Sequence, residues 1–598
     1  MRRFVVQISV AVLCCGGACA PLHAGETQEG RAETIEALIA ALKSDDPAAM
    51  VKAADALERL GPEAQAAAPA LAARLEYPQP WPRSAAMNAL KAIGAAAVPA
   101  IVDVFEHGSP AAQQRASTVL GWIGPDAKEA VPALQKAIEK ASPAQRERLA
   151  ETLRFIEAET ADAQQPQLRK PADGVTVLAA VKSDLKLDYA SGDWPQFHGP
   201  RRDSLCRERG LLKEWPAGGP ELLWKLAGLG RGYSTVAIAG GMLVTMGDRR
   251  DGQAESQFAL AYDLATPREL WATRIGPPHE DGPRCTPTID GELLYALGTK
   301  GDLVCLETKT GKLRWQKSLV ADFDGKMMTG WKFSESPLVD GEKVICTPGG
   351  PQAALVALEK TTGKVLWKSV ISDLGRKGKD GAAYASAIVA ESGGVRQYIQ
   401  VLGRGVVGID AQSGKFLWGY NRIASQTANI THPLVRGDYV FVTNSYQTGS
   451  ALLKISRDGE ALKAEEVYFL AAREFENHHG GIVLIGDYIY GGSGQSRGDP
   501  VCLELATGRI AWKAKAPAPG SAAVLYADGC LVFRYDRGLV ALVEATPAAY
   551  RLKATFQPIL GEGAAWSHPV IHQGKLYLRH SDLLLCYDVQ QPSATGRR

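Results

Sequence analysis

The stretch VCLETKTGKLRW, Val304–Trp315, decides how most of this chain is read. It returns almost unchanged as VCLELATGRIAW, Val501–Trp512. Looser copies are LAYDLATPRELW (Leu260–Trp271), VALEKTTGKVLW (Val356–Trp367) and VGIDAQSGKFLW (Val407–Trp418). In each, a β-rich run ends at an acidic residue. Three residues later comes Thr or Ser, then Gly (Pro267 in one copy), then a run ending in Trp. The acidic and hydroxyl side chains can bond turn amides, and glycine supplies a positive φ, so each copy reads as a strand–turn–strand hairpin.

A second signature lies upstream of each hairpin. It is clearest as TPTIDGELLYAL from Thr286, SPLVDGEKVICT from Ser336, HPLVRGDYVFVT from His432 and HPVIHQGKLYLR from His568. An apolar strand, a tight turn and a second strand make another hairpin. The two hairpins together form a four-stranded unit. Eight such units start near residues 233, 286, 336, 384, 431, 479, 521 and 567, about 42–53 apart. Eight radial four-stranded sheets predict an eight-bladed β-propeller.

The eighth unit ends one strand short, at LLLCYDV (583–589). PELLWKL around Trp224 is available to complete it. Trp224, Trp271, Trp315, Trp367, Trp418 and Trp512 then hold equivalent outer-strand positions, with Tyr468 and Phe556 in the two remaining slots, where large aromatics can wedge between blades. Cys305 falls in a slot also filled by Ala261, Ala357, Gly408, Cys502, Ala541 and Cys586, with Leu453 as the exception. That slot asks for a small buried apolar side chain, and cysteine serves as one.

Before residue 193 the composition changes. Residues 30–160 are rich in Ala, Leu, Glu and Lys, and they repeat. Gly61, Gly94 and Gly124 stand 33 and 30 residues apart. Leu57, Leu90 and Leu120 lie four residues before them, and Ala53, Ala86 and Ala116 eight before, on one helix face. Pro69, Pro99 and Pro132 follow, as suits a first helical turn. A helix, a glycine turn and a proline-started helix at this period resemble HEAT-type repeats, which implies an all-α solenoid with a concave binding surface; a spacer is the alternative.

Arg2 and Arg3 precede the apolar run FVVQISVAVLCC, which predicts an export signal over residues 1–24. Cys19 is a candidate lipid attachment point, although GGAC lacks the large aliphatic residue expected three positions earlier. Residues 161–192 read as a linker and 193–590 as the propeller. No run after the signal reads as transmembrane. The seven cysteines beyond residue 24 are widely scattered, so they suggest no disulfide framework. Among 598 residues the formal net charge is +2, which argues against a nucleic-acid field or a polybasic membrane patch.

The pattern [VL]-x-x-[DE]-x-x-[TS]-G-K-x-x-W resembles the tryptophan-docking repeat of pyrroloquinoline-quinone-type propellers, over about Asp193–Val589. That superfamily contains quinone-dependent alcohol dehydrogenases and also cofactor-free propellers, such as the scaffold lipoprotein of the outer-membrane barrel-assembly machinery. DWPQFHGPRRDS, TANITHPLV and NHHGGIVLIGDYIYGG are similar to stretches of exported bacterial quinone-like propellers. The dehydrogenases carry an adjacent Cys-Cys pair beside the cofactor, a calcium held by Glu, Asn and Asp, and an Asp base. Here the only Cys-Cys is Cys14-Cys15, inside the expected signal.

In a propeller, the loops leading into the innermost strands line one mouth of the central channel. They carry Arg231, Tyr233, His279, Arg284, Trp331, Lys332, Tyr384, Asn429, His432, Asn477, His478, His479, Trp566 and His568. Such a set can bind a small polar ligand or a metal, or it can cap strands and satisfy loop amides. No catalytic residue and no metal ligand is assigned. The first functional expectation is an exported, non-catalytic scaffold or ligand-binding protein of the cell envelope, without a resident cofactor. Its expected partners are other envelope proteins and a small polar ligand at the mouth. The second expectation is a periplasmic oxidoreductase using pyrroloquinoline quinone and calcium.

Overall fold

A computed structural model describes residues 28–44, 46–157, 192–252, 254–459, 461–561 and 563–592. The expected signal peptide, Cys19 and nearly all of the expected linker lie outside these residues. The chain divides into two compact units between residues 167 and 168.

The first unit is helical. Helices Pro47–Leu60, Pro80–Ile93 and Pro110–Ile123 each end on a glycine with positive φ: Gly61 at 58°, Gly94 at 74° and Gly124 at 70°. Each is followed by a short 3-10 turn and a helix carrying proline in its first turn: Ala68–Ala73, Val98–His107 and Val131–Lys140. Leu57, Leu90 and Leu120 are buried, as are Ala53, Ala86 and Ala116. The alanines let successive helices approach closely, and the leucines fill what remains. Ala85–His107 is long and apolar enough to cross a membrane by length and composition. It is two helices joined at Gly94, and Leu90, Ile93, Val98 and Ile101 are buried within the helical core.

The second unit is an eight-bladed propeller. The innermost strands of blades 1 to 8 are Ala237–Ala239, Thr288–Asp290, Leu338–Asp340, Ile388–Ser392, Leu434–Arg436, Ile482–Ile485, Ala522–Ala527 and Val570–His572. Strand Glu221–Leu226 pairs antiparallel with Leu583–Asp588, with Trp224 opposite Cys586, so the early strand completes blade 8 and closes the ring. Gly228 and Gly230 then donate backbone N–H to the Asp582 carboxylate, fastening the crossing into blade 1.

The repeated hairpin works as a blade-to-blade dock. Trp271 Nε1 donates to the Thr308 carbonyl, Trp315 Nε1 to Lys360 and Trp512 Nε1 to Thr546, each on the next blade's hairpin. The turn glycines Gly311, Gly363 and Gly414 lie against the rings of Trp271, Trp315 and Trp367, where a Cβ would collide. The glycine therefore meets two demands at once: a left-handed turn and a flat seat for the preceding aromatic. Blade 5 has no such turn, and Trp418 instead donates to Gln397 Oε1 within its own blade.

Two register assignments differ from expectation. Tyr468 pairs with Leu452, not Leu453, because the bulge falls one residue earlier. In blade 7 the docking position opposite Leu542 holds Ala554, and neither Ala541 nor Phe556 occupies the slot. Phe556, two residues on, nevertheless packs against Gly219 ahead of the closing strand and does the same job. The remaining slots agree: Trp315 faces Cys305, Trp367 faces Ala357 and Trp512 faces Cys502.

All seven described cysteines are buried and free. Burial pushes the thiols of Cys305 and Cys586 up to about 12 and that of Cys502 to about 11, which keeps them protonated. Replacing Cys305, Cys502 or Cys586 by Ala should cost about 1 kcal/mol or less, because little buried volume is removed. Chemical denaturation checks this. A severe loss, or a disulfide involving any of them in mass spectra, contradicts a packing role.

A ladder of hydroxyls runs round the channel. Thr235 N donates to Thr286 Oγ1, Thr286 N to Ser336 Oγ (2.9 Å) and Ser336 N to Ser386 Oγ (2.9 Å). The equivalent positions in blades 5 and 8 hold His432 and His568 in place of a hydroxyl residue. That exchange sets up the site.

Candidate functional site

Residues Trp194–Cys206 run through the channel and touch every blade. Trp194 exchanges backbone bonds with Ile238 of blade 1, and Pro195 O accepts from Ile289 N of blade 2. The Arg202 guanidinium donates to the carbonyls of Ser336 and Pro337 in blade 3 and of Ala387 in blade 4. His198 meets His432 of blade 5 and His568 of blade 8. In blade 6, Gly481 lies where a Cβ would come within 3.3 Å of the His198 ring. Leu205 and Cys206 pair in parallel with Tyr526 and Ala527 of blade 7. His198, Arg202 and Ser204 adopt positive φ values of 63°, 54° and 54°, a strain held by these contacts.

The three imidazoles form a chain. His198 Nδ1 lies 3.1 Å from His432 Nε2, and His198 Nε2 lies 3.1 Å from His568 Nδ1. His568 Nε2 in turn sits 3.2 Å from the His479 carbonyl. A carbonyl only accepts, so His568 carries its proton on Nε2 and accepts at Nδ1. His198 must then donate from Nε2 and accept at Nδ1, and His432 must donate from Nε2. Every tautomer follows from one carbonyl. The two contacts use opposite nitrogens of His198, so the lone pairs do not converge on one point. Among the described residues, no three His, Cys, Asp or Glu side chains form a metal-binding group.

Above this plug lies a cavity of about 220 Å³. Nine of the expected residues line it: Tyr233, Arg284, Trp331, Tyr384, His432, His478, His479, Trp566 and His568. Five do not. Arg231 is paired with Glu255 at 2.9 Å. The His279 ring accepts from Asp281 N, bracing its own loop. Lys332 takes a positive φ of 65° in the loop beside Trp331. Asn429 and Asn477 are buried caps: Asn429 Nδ2 donates to Leu402 O, and Asn477 Nδ2 to Gly492 O. Phe197, His198 and Tyr446 also line the cavity and were not anticipated. Phe197 and His198 lie inside DWPQFHGPRRDS, but no hairpin spacing tells that this segment threads the channel.

The histidines are uncharged. Burial holds His432 down to about 3, and His478 and His568 to about 4; His198 and His479 lie well below the ordinary range for the same reason. Both His478 nitrogens are engaged, Nδ1 with Ser521 Oγ (2.7 Å) and Nε2 with Tyr446 OH (2.8 Å). The His479 Nε2 atom is buried without a hydrogen-bond partner among the described residues, with Asp536 Oδ1 3.9 Å away. Burial raises the Asp536 carboxyl to about 7. Arg284 is the only cationic side chain lining the cavity among the described residues. It pairs with Asp281, donates to the Trp331 carbonyl and lies 6.0 Å from the Tyr233 ring centre.

This donor set does not fit a calcium-bound tricarboxylate. Calcium takes roughly 6–8 oxygen ligands, mostly from ionised carboxylates. Here Asp281 is committed to Arg284, and Asp536 is half protonated near neutrality and hydrogen-bonded to Ser521 N. Three quinone carboxylates would face a single, already paired guanidinium.

A family model described as outer membrane protein assembly factor BamB matches residues 255–514. Quinoprotein alcohol dehydrogenase PedH of Pseudomonas putida is 25% identical over 232 residues, covering 37% of this chain and 34% of that protein. The chain thus matches about a third of that relative's length. Similar solved structures include BamB from Moraxella catarrhalis, with a TM-score of 0.44 and 13% identity over 63% of this chain and 99% of that one. Quinohemoprotein alcohol dehydrogenase from Comamonas testosteroni gives a TM-score of 0.46 and 13% identity over 71% of this chain and 85% of that one. The docking hairpins, the eight blades and the family match define the class: a propeller of the pyrroloquinoline-quinone-like type. Both a barrel-assembly factor and alcohol dehydrogenases share that class.

Proposed function

We propose that this protein is an exported, non-catalytic binding protein of the cell envelope, whose propeller captures a small ligand at one mouth of its channel. The observation that carries this reading is the aromatic-walled cavity with neutral histidines, backed by a plug that reaches every blade. Such a cavity binds without supplying a nucleophile or a set of metal-ligating carboxylates. The helical unit, read as HEAT-like, serves as a second platform for envelope proteins. The quinone-dependent oxidoreductase is the second reading, favoured by the PedH match alone and opposed by the donor set at the mouth.

Calorimetric titration of the purified protein with pyrroloquinoline quinone and calcium separates the two. The expected dissociation constant is on the order of 0.1 mM or weaker, roughly 5 kcal/mol. Micromolar binding that Trp331→Ala or Arg284→Ala abolishes would replace this reading with the oxidoreductase.

A further inference from the structure

We infer that the mouth cavity holds a compact zwitterion, with a quaternary ammonium group against the aromatic faces and a carboxylate on Arg284. The inference rests on the ligand-binding reading above and specifies its ligand. Three features of the wall lead to it.

The first is aromatic density. Tyr233, Trp331, Tyr384, Tyr446 and Trp566 all line a space of about 220 Å³. Tyr233 and Trp566 have ring centres 4.6 Å apart, and Trp331 and Tyr384 lie edge to face at 5.8 Å. Trp331, 42% exposed, forms the rim. Ring faces carry negative potential and attract cations within about 6 Å, more strongly when water is excluded.

The second is the state of the polar groups. Both nitrogens of His198, His478 and His568 are engaged with protein atoms. The Tyr384 hydroxyl is engaged with Thr329, and Ser336 and Ser386 accept amides of the ladder. A sugar would bring many hydroxyls to a wall that leaves few groups for them, such as His479 Nε2 and the O–H of Ser336 and Ser386, and each unmet one is costly. A primary ammonium would face the same lack of acceptors. A quaternary ammonium carries charge without any N–H to satisfy.

The third is charge balance. The histidines are neutral, so they do not repel a cation, and Arg284 is balanced by Asp281. Arg284 donates to the Trp331 carbonyl and Asp281, which leaves further N–H groups of its fork for a ligand carboxylate. An apolar monoacid would add an unbalanced negative charge beside Asp281 and Asp536, whereas a zwitterion adds none.

Calorimetric titration of the full-length protein with glycine betaine, tetramethylammonium, benzoate and glucose tests this. Glycine betaine should bind tightest. Arg284→Gln should weaken glycine betaine about tenfold or more but not weaken tetramethylammonium, since only the former has a carboxylate and the substitution leaves Asp281 without its cation. Trp331→Leu, which keeps an apolar rim but removes a ring face, should weaken both. Benzoate or glucose binding as tightly as glycine betaine would overturn the zwitterion while leaving ligand capture intact. Glycine betaine without saturable binding, or binding indifferent to both substitutions, would overturn it too. The quinone titration reports separately on whether the protein is a binding protein at all.

Discussion

Deleting residues 193–226 is expected to leave no stable monomeric propeller. The deletion removes the outer strand of blade 8, Glu221–Leu226, and leaves the edge of Leu583–Asp588 unpaired. An open edge of six residues, with Leu584, Leu585 and Cys586 fully buried in the intact ring, is a template for pairing between chains. The same deletion takes away the bonds that Arg202 supplies to blades 3 and 4 and that His198 supplies to blades 5 and 8. Size-exclusion chromatography should show aggregates or a species lacking a cooperative melt. A monomer with an unchanged melting temperature would show that closure lies elsewhere.

Acidification should destabilise the folded protein steeply, starting near pH 6.5. Five histidines at the channel mouth are held neutral by burial: His198, His432, His478, His479 and His568. In the unfolded chain each takes up a proton near its ordinary value of about 6.5, whereas in the folded chain it does so only much lower. Their contribution is therefore complete above pH 6.5 and is lost as pH falls toward about 4. Within that window each histidine costs up to about 1.4 kcal/mol per pH unit. Carboxyls raised by burial act in the opposite sense: Asp203, Asp248 and Asp302, and most strongly Glu335 and Asp536. Glu335 and Asp536 are raised to about 7, so they favour the folded state at low pH and lose that contribution as pH rises from about 4 to 7. Burial lowers His279 and His580 as well, so among the described residues seven imidazoles stand against five carboxyls, and the net slope is acid-labile. Denaturation midpoints measured between pH 4.5 and 7.5 check the sign. His198→Ala should flatten the slope, because it removes one suppressed titration. A midpoint that holds steady or rises on acidification would refute the assignment.

The blades could be read from the sequence because each carries its own local grammar. An acidic residue, a hydroxyl, a glycine and a tryptophan within about twelve positions define a hairpin without any distant information. Closure by Trp224 was legible for a related reason: the eighth unit lacked a strand and an unused strand lay nearby. The register of Phe556 was not, since a bulge shifts pairing by one residue and the sequence does not mark where it falls. The mouth was legible in outline, because loops before innermost strands point there whatever their sequence. Which side chains reach the cavity was harder. Asn429 and Asn477 look like ligand-binding residues but turn inward to satisfy backbone carbonyls. His198 belongs to a segment without hairpin spacing, and only its contacts across more than 200 residues reveal its place.

The plug has a consequence for how the molecule comes into being. Trp194–Cys206 is synthesised before any blade, yet its partners His432 and His568 arrive 234 and 370 residues later. Joining ends so far apart restricts an enormous number of chain conformations, and that entropy is lost before the contact returns anything. The segment can bond early to Ile238 and Ile289 of the first two blades, but its bonds to His432 and His568 wait until blades 5 and 8 exist. Its insertion and the zipping of Glu221–Leu226 onto the last blade are then linked steps at the end of folding. The native ring is a product of the whole chain at once, and a nascent chain cut short anywhere before Val570 has no route to it.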